Sequence, residues 1–185
     1  MTTRDSIISF ADHFIRDKGF NAFSFNDISK SIGIKTASIH YHFPTKTDLA
    51  VAIIKDHTVK FNALKKELHD KPPLIKMEGF LSFYSKIKSD NKVCLVGSLA
   101  TDLHSFDKKI KKELKAFAEI FLNWVIEILE EGKQKQVFGF QGTSRTKALL
   151  IITNMLAIVQ LSRLTNDDDF FAVRDSILKD LKTDK

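Results

Sequence analysis

The spacing of apolar residues along the chain predicts an all-α protein. Between Lys108 and Glu131 the apolar positions recur at alternating intervals of four and three residues: Ile110, Leu114, Phe117, Phe121, Trp124 and Ile128. These intervals match one face of a helix with about 3.6 residues per turn. Comparable stripes predict helices over residues 4–18, from about 45 to 69, over 74–88 and over 167–181. We find no alternating strand pattern, and the glycine-containing segment 132–142 predicts a loop.

Residues 24–43 predict two short helices that meet at a tight corner. Ser24, with Asp27 three residues later, resembles a capping box, and Gly33 can adopt the left-handed conformation that ends a helix sharply. The second helix has a thin apolar edge of two residues four positions apart, Ile39 and Phe43. Its other positions are small or polar: Lys35, Thr36, Ser38, His40, Tyr41 and His42. This pattern is typical of a helix-turn-helix, in which the second helix enters the major groove of DNA.

The rest of the chain predicts a second helical domain, so we expect domains at 1–48 and 49–185. Residues 143–164 are apolar nearly all round, and such a helix must be buried on all sides. A second copy of the chain would bury it, with the helix over 167–181 alongside; the alternative is the central helix of a monomer. The homodimer is favoured because a helix-turn-helix dimer also gains a second DNA half-site. Leu156 and Val159 are then expected in the interface.

Composition and charge limit the classes of protein that are consistent with this sequence. The 185 residues carry a net charge of +6, which favours an anionic partner. Residues 1–60 contain eight Lys or Arg against six Asp or Glu, so the excess is spread out. The single cysteine, Cys94, excludes an intrachain disulfide, and its apolar surroundings favour an inert buried thiol over a redox sensor. The first residues lack the pattern of a signal peptide, and the longest uncharged run, 148–162, is too short to span a membrane. We therefore expect a cytoplasmic protein without a membrane partner.

Motifs for catalysis or cofactor binding are weak. His40 and His42 lie two positions apart and would point to different sides of a helix, so we expect no metal site. Gly139 to Gly142 lacks the spacing of a nucleotide-binding loop, and Ser98 lies in no nucleophile elbow. We therefore expect neither an enzyme nor a cofactor. Two alternatives stay open: a small all-α ligand-binding protein or enzyme that does not bind DNA, and a helical protein–protein adaptor with neither DNA affinity nor an apolar pocket.

The N-terminal residues resemble the TetR family of transcriptional regulators over about residues 5–55. The resemblance is carried by five short segments: Gly19-Phe20, Ser24 to Ile28, Ile32-Gly33-Ile34, Ser38 to Phe43, and Lys46 with Leu49. The segment ASIHYHFPTKTDL is similar to an AcuR-like and YxaF/LmrA-like subgroup, as is, more weakly, Cys94 to Leu103. Two departures stand out. Lys35 occupies a position that is often Ser or Thr, leaving Thr36 as the expected cap, and Ile39-His40 replaces a common Leu-Tyr pair.

The resemblance implies a homodimeric, ligand-responsive regulator, usually a repressor, that binds double-stranded DNA at a palindromic operator. Lys46 and Ser24, each at a helix start, are placed to meet phosphates. The candidates for contact with base edges or neighbouring phosphates are Lys35, Thr36, Ser38, His40 and Tyr41. Among these, Lys35 suits guanine, Thr36 suits a thymine methyl group, and Tyr41 suits a phosphate. Simple helix capping is the alternative for Ser24 and Thr36, and His42 is expected to pack at the helix end.

A regulator of this kind also needs an effector site in the C-terminal domain. Aromatic residues and one serine near a segment of small residues are the candidates: Phe80, Phe83, Tyr84, Ser98, Phe117, Phe121 and Trp124. They predict a small, largely apolar effector, with Tyr84, Asn123 or Ser98 as a polar contact. The alternative for each aromatic residue is an ordinary place in the core. The helix from Lys46 to His69 would couple the two domains.

Overall fold

The computed structural model describes residues 2–182, and within them the regular structure is helical. The α-helices are α1 Thr3–Lys18, α2 Phe25–Ile32, α3 Thr36–His42, α4 Lys46–Glu67, α5 Pro73–Ser89, α6 Leu95–Ala100, α7 Lys108–Gln134, α8 Ser144–Leu161 and α9 Asp167–Leu181. Short 3₁₀ turns cover Phe20–Ala22 and Leu103–Ser105. The predicted all-α fold is confirmed. None of the described helices combines the length and apolar character needed to cross a bilayer.

The chain divides into two compact units. The first unit comprises Met1–Phe61 with Cys94–Ala118, and the second comprises Asn62–Val93 with Glu119–Lys185. The boundary that we predicted at residue 48 falls within the first unit, near the start of α4, and stays a prediction. The first unit therefore holds α1, α2, α3 and α6 together with the N-terminal parts of α4 and α7.

The core of the first unit is built from the apolar faces that the sequence pattern indicates. Ile7, Ala11 and Ile15 of α1 are buried, as are Ile28 of α2 and Ile39 of α3. Helix α6 is held against α1 by a hydrogen bond in which the buried Ser98 hydroxyl donates to the Ile15 carbonyl over 2.6 Å. Because this hydroxyl is satisfied inside the core, its contact helps to fix α6 on α1, the helix before the helix-turn-helix.

The second unit has an aromatic core to which α5, α7, α8 and α9 contribute. The buried side chains come from all four helices: Met77, Phe80, Leu81 and Tyr84 from α5, Val125 and Leu129 from α7, Ala148 and Met155 from α8, and Phe170 and Leu181 from α9. Phe80 contacts both Tyr84 and Trp124, with ring centroids 5.5 and 6.1 Å apart. These are edge-on contacts, the geometry that aromatic quadrupoles favour.

Helix α7 is longer than the sequence pattern predicts. We expected a loop from Gly132, but the helix continues through it to Gln134. A side chain at position 132 would collide with the ring of Phe138, which folds back onto the helix there. The glycine is therefore needed for this close approach rather than for a turn.

Helix α8 buries only one side within its own chain. Ala148, Ile151 and Met155 are buried, whereas Leu149, Leu150 and Leu161 expose 43, 53 and 51% of their surface. The prediction of burial on all sides is therefore not met by a single chain. The expectation for Val159 was wrong, because this side chain is 2% exposed and lies in the core of its own chain.

Candidate nucleic-acid interface

Helix α2 begins at a capping box, as predicted. The Ser24 N–H donates to Asp27 Oδ2 over 2.7 Å, and the Asp27 N–H donates to Ser24 Oγ over 3.4 Å. Hydrogen bonds from the Ser24 hydroxyl and N–H lower the pKa of Asp27 below its usual value. Ser24 is thus confirmed as a cap; its contact with a phosphate stays a prediction.

The corner between α2 and α3 is fixed by the backbone conformation of Gly33. Its φ of 71° and ψ of 31° lie in the left-handed region, where residues with a side chain are strained. The N–H groups of Gly33 and Ile34 both donate to the Ser29 carbonyl, over 3.0 and 3.2 Å. The Ser29 hydroxyl donates back to the Ile34 carbonyl over 2.5 Å. These contacts set the angle at which α3 leaves α2.

Helix α3 starts one position earlier than we expected. Lys35 has the extended φ and ψ of an N-cap residue, and its carbonyl accepts a hydrogen bond from the Ser38 N–H over 2.9 Å. Thr36 is therefore the first helical residue and not the cap, which corrects the prediction. Ile39 and Phe43 are buried as predicted. His42 is half-buried, with its ring 5.1 Å from that of Tyr41.

The outer face of α3 presents polar side chains to solvent. Tyr41 is 84% exposed, and Lys35 and His40 are also exposed. Thr36 and Ser38 are half-buried. The His40 ring packs 4.9 Å from the ring of Phe25, so α2 restricts its orientation. The five residues predicted to contact bases or neighbouring phosphates thus lie on α3 or at its N-cap, and Lys35 and Tyr41 are exposed there.

Lys46 has structural contacts that the sequence did not predict. Its ammonium donates to the Phe23 carbonyl and lies 4.6 and 4.1 Å from the ring centroids of Phe20 and Phe23. The pKa of Lys46 is lowered, because the effect of burial outweighs that of the negative charges of Asp102 and Asp27. An ammonium has three N–H donors, so contact with a phosphate requires one of the others. That contact stays a prediction.

The start of α4 carries a residue that our sequence reasoning missed. The exposed Thr45 hydroxyl accepts from the Asp48 N–H over 3.1 Å and donates to Asp48 Oδ2 over 2.7 Å. The spacing Thr-x-x-Asp repeats the pattern of Ser24 and Asp27 and was visible in the sequence. Thr45 therefore joins Lys46 as a polar group at this helix start.

Comparison with known proteins decides the family. The sequence profile of the bacterial regulatory proteins, tetR family, matches residues 7–53. A crystal structure of a TetR transcriptional regulator from Legionella pneumophila is 34% identical, covers 98% of each chain and has a TM-score of 0.87. The chain belongs to the TetR family of transcriptional regulators.

Other relatives agree with this assignment. An HTH-type transcriptional regulator of Staphylococcus aureus strain bovine RF122 / ET3-1 is 24% identical over 179 residues, 89% of this chain and 96% of the relative. A shorter match involves IcaR, the negative transcriptional regulator of the biofilm operon icaADBC in Staphylococcus epidermidis. It is 39% identical over 46 residues, 25% of each chain. The predicted function, a DNA-binding transcriptional regulator of the helix-turn-helix type, is confirmed at this level.

The seven residues predicted for the effector site of this TetR-family protein fall in both units. Ser98 and Phe117 belong to the first unit, where Ser98 bonds to Ile15 and the Phe117 ring lies 6.2 Å from that of His57. The other five lie in the second unit: Phe80, Phe83, Tyr84, Phe121 and Trp124. Most of them are buried, while Phe83 is half-buried. The structure thus brings the second-unit aromatic residues together.

The second unit also contains a groove that borders this aromatic cluster. Its volume is about 500 Å³, and it is lined by Asn62, Lys65, Lys66, His69, Lys76, Trp124, Glu127, Ile128 and Glu131. Lys76 Nζ lies 2.6 Å from Glu131 Oε2, and Lys65 Nζ lies 3.8 Å from Glu127 Oε2. Trp124 belongs to both the predicted set and the groove. The charged lining differs from the largely apolar site that the sequence predicted.

Proposed function

We propose that this TetR-family regulator is a repressor that binds a palindromic operator as a homodimer and responds to a small effector. The observation that carries the proposal is the polar, exposed face of α3, which is held at a fixed angle to α2 by the left-handed Gly33. The similarity to IcaR, a negative regulator, supports repression. The similarity of residues 37–49 to AcuR-like and YxaF/LmrA-like regulators supports that subgroup.

Within this proposal, α3 reads bases and the surrounding helix starts hold the phosphate backbone. Lys35 is exposed at the start of α3, where a flexible ammonium can reach the two acceptors of guanine. Thr36, Ser38 and His40 follow it along the helix. Tyr41 lies at the opposite end of α3 and meets a phosphate, together with Ser24 and Lys46. Phosphate contacts fix the register, and base contacts give the specificity.

The dimer forms through the exposed apolar face of α8 with α9 beside it. Leu149, Leu150 and Leu161 of α8 are exposed in the single chain, and Phe171 of α9 is 41% exposed. Exposed leucines grouped on one helix face, here with the polar residues Thr153, Asn154 and Gln160 among them, are typical of an interface. Self-association through a two-fold axis covers this face on both chains and presents two copies of α3 to one duplex.

The effector binds in the groove of the second unit, whose lining includes the edges of the buried apolar side chains Trp124 and Ile128. Lys66 lines the same groove and has no ion pair within residues 2–182, whereas Lys65 and Lys76 pair with Glu127 and Glu131. His69 also lines the groove, and its Nδ1 lies 2.8 Å from Asp70 Oδ1. The site therefore suits a small molecule with an apolar body and an ionised group. Such a ligand regulates DNA binding only if it binds the two states of the protein with different affinity.

Replacing Lys35 with alanine tests the central part of this proposal. We expect a loss of about 1–3 kcal/mol in binding to the preferred operator and relaxed preference at one position of each half-site. The measurement is binding of a panel of single-base operator variants at fixed salt. Lys30→Ala serves as a control, since Lys30 is exposed on α2 and has no assigned base contact. An even loss of affinity across all variants would make Lys35 a phosphate contact instead.

A further inference from the structure

The first turns of α7 carry a dense group of exposed lysines in the same unit as the helix-turn-helix. The group comprises Lys108, Lys109, Lys111 and Lys112, and we call it the α7 lysine cluster. It lies on the side of α7 away from the buried positions Ile110, Leu114 and Phe117. The effector and dimer surfaces proposed above do not include it.

The cluster is poorly neutralised by the protein itself. Within residues 2–182, Lys108, Lys111 and Lys112 have no ion pair, while Lys109 Nζ lies 3.7 Å from Asp48 Oδ1. Asp107 supplies one negative charge beside Lys109, and its Oδ1 accepts from the N–H groups of Lys109 and Ile110. Lysines in the first turn also oppose the helix dipole, which favours negative charge there. The charges of the α7 lysine cluster therefore destabilise the first turn of α7 and remain available to bind an external anion.

Contacts within the first unit place the start of α7 beside the predicted phosphate contacts. The Phe106 ring packs edge-on against Phe20, with centroids 5.0 Å apart, and Phe20 in turn contacts the Lys46 ammonium. The pKa of Asp107 is lowered, chiefly by the hydrogen bond from the Ile110 N–H and further by the side chain of Thr47 at the start of α4. With the Lys109–Asp48 pair, these contacts join the first turn of α7 to the first turn of α4. The cluster thus lies next to the helix start that follows α3.

We propose that the α7 lysine cluster binds the phosphate backbone of duplex DNA flanking the half-site read by α3. Residues 108–112 span about 6 Å of helix axis, and duplex DNA carries about one charge per 1.7 Å, so the lysines can meet several phosphates. This contact is independent of base sequence, because the phosphate groups that the lysines bind are the same at every base pair. The inference depends on the proposed DNA-binding function and adds a second contact surface to it.

The experiment compares the wild-type protein with a quadruple variant, Lys108→Gln, Lys109→Gln, Lys111→Gln and Lys112→Gln. The probes are two versions of a duplex that the wild-type protein selects from a random library. One is trimmed to the core that the protein protects, and the other is extended at each end by about 10 bp, one helical turn. A matched control removes four exposed lysines elsewhere, at Lys60, Lys71, Lys86 and Lys135, each replaced by Gln. Binding is measured over a series of salt concentrations.

We expect the extended duplex to bind the quadruple variant at least about tenfold more weakly than it binds wild type at moderate salt. The salt slope should fall by about 0.9 for each phosphate that the quadruple variant no longer neutralises. On the trimmed duplex, the affinities of the quadruple variant and the wild-type protein should differ much less. The control variant should keep the wild-type salt slope and the wild-type gain in affinity from the flanking DNA. Thermal stability of the quadruple variant should be unchanged or raised, because first-turn lysines oppose the helix dipole.

Equal salt slopes for wild type and the quadruple variant on the extended duplex would overturn the inference. A loss of affinity shared by the control variant would do the same, since it would reflect net charge alone. Failure of the wild-type protein to select any duplex would instead contradict the proposed function. Capture of an acidic protein by the cluster, with DNA binding unaffected, would also overturn the assignment.

Discussion

Replacing Leu150 with glutamate should convert the proposed homodimer into a monomer. Leu150 is 53% exposed on the outer face of α8, where a second chain is proposed to cover it. The two-fold axis would place the new carboxylate in the interface on both chains, and desolvating unpaired charges is strongly unfavourable. A monomer contacts one half-site only, so operator affinity should fall by about 10²–10⁴-fold, the usual gain from linking two binding sites.

Light scattering and sedimentation velocity measure the oligomeric state directly. Val59→Glu is a matched control, because Val59 is a 68% exposed apolar residue on α4, outside the proposed interface. The control variant should stay dimeric and bind the operator normally. A Leu150→Glu variant that remains dimeric with full operator affinity would place the interface elsewhere.

Replacing Asp12 with asparagine should destabilise the first unit by about 1.5–3 kcal/mol, the range for hydrogen bonds to charged groups. Asp12 Oδ1 lies 2.7 Å from His57 Nε2, and Asp12 Oδ2 accepts from Arg16 Nη1 over 3.2 Å. This network ties α1, which precedes the helix-turn-helix, to α4 in a partly buried site. Chemical denaturation measures the loss. Asp70→Asn is the control, since its side chain is 96% exposed and the change should stay within about 0.5 kcal/mol.

The same carboxylate gives a pH dependence with a defined sign. Burial alone would raise the pKa of Asp12, but hydrogen bonds and charge from His57 and Arg16 outweigh it, so the pKa is lowered. The folded state then binds this proton less tightly than the unfolded state, whose carboxyl has a pKa of about 3.9. The stabilisation is present above that pH and is lost as the pH falls through the lower, folded pKa. Below about pH 4 the free energy of unfolding of the Asp12→Asn variant should therefore fall less steeply with decreasing pH than that of the wild-type protein. Equal pH dependence of the two proteins would show that Asp12 does not cause this loss of stability.

The helix-turn-helix could be predicted because its determinants are local. Ser24 and Asp27 cap α2 through groups three residues apart, and the left-handed turn at Gly33 needs only that residue and its neighbours. The apolar edge of α3, Ile39 and Phe43, follows from helical periodicity. Local interactions of this kind can be predicted from a sequence because they do not depend on residues that are distant along the chain.

Features that depend on distant partners were missed or misplaced. Gly132 has the character of a loop residue in the sequence, but its role is set by the Phe138 ring that packs on it. The ammonium of Lys46 is directed by Phe20 and Phe23, more than twenty residues earlier, which periodicity does not reveal. The burial of Val159 depends on the side of α8 that its own chain covers.

The effector site is the least predictable element for the same reason. Aromatic residues at helical spacing indicate that a core forms, but not where a groove opens beside it. Ser98 illustrates the limit: its hydroxyl is committed to the Ile15 carbonyl in the first unit. The charged residues that line the groove with Trp124, such as Lys66 and His69, lie near the end of α4 and carry no motif.

Selection from a random duplex library tests the central claim, that α3 reads a palindromic operator as part of a homodimer, most directly. We expect enrichment of an inverted repeat with half-site centres about one helical turn, or a multiple of it, apart. Two protomers should bind each selected duplex, with log affinity falling linearly as log salt rises. No enrichment, or a single unrepeated site bound by one protomer, would contradict the claim.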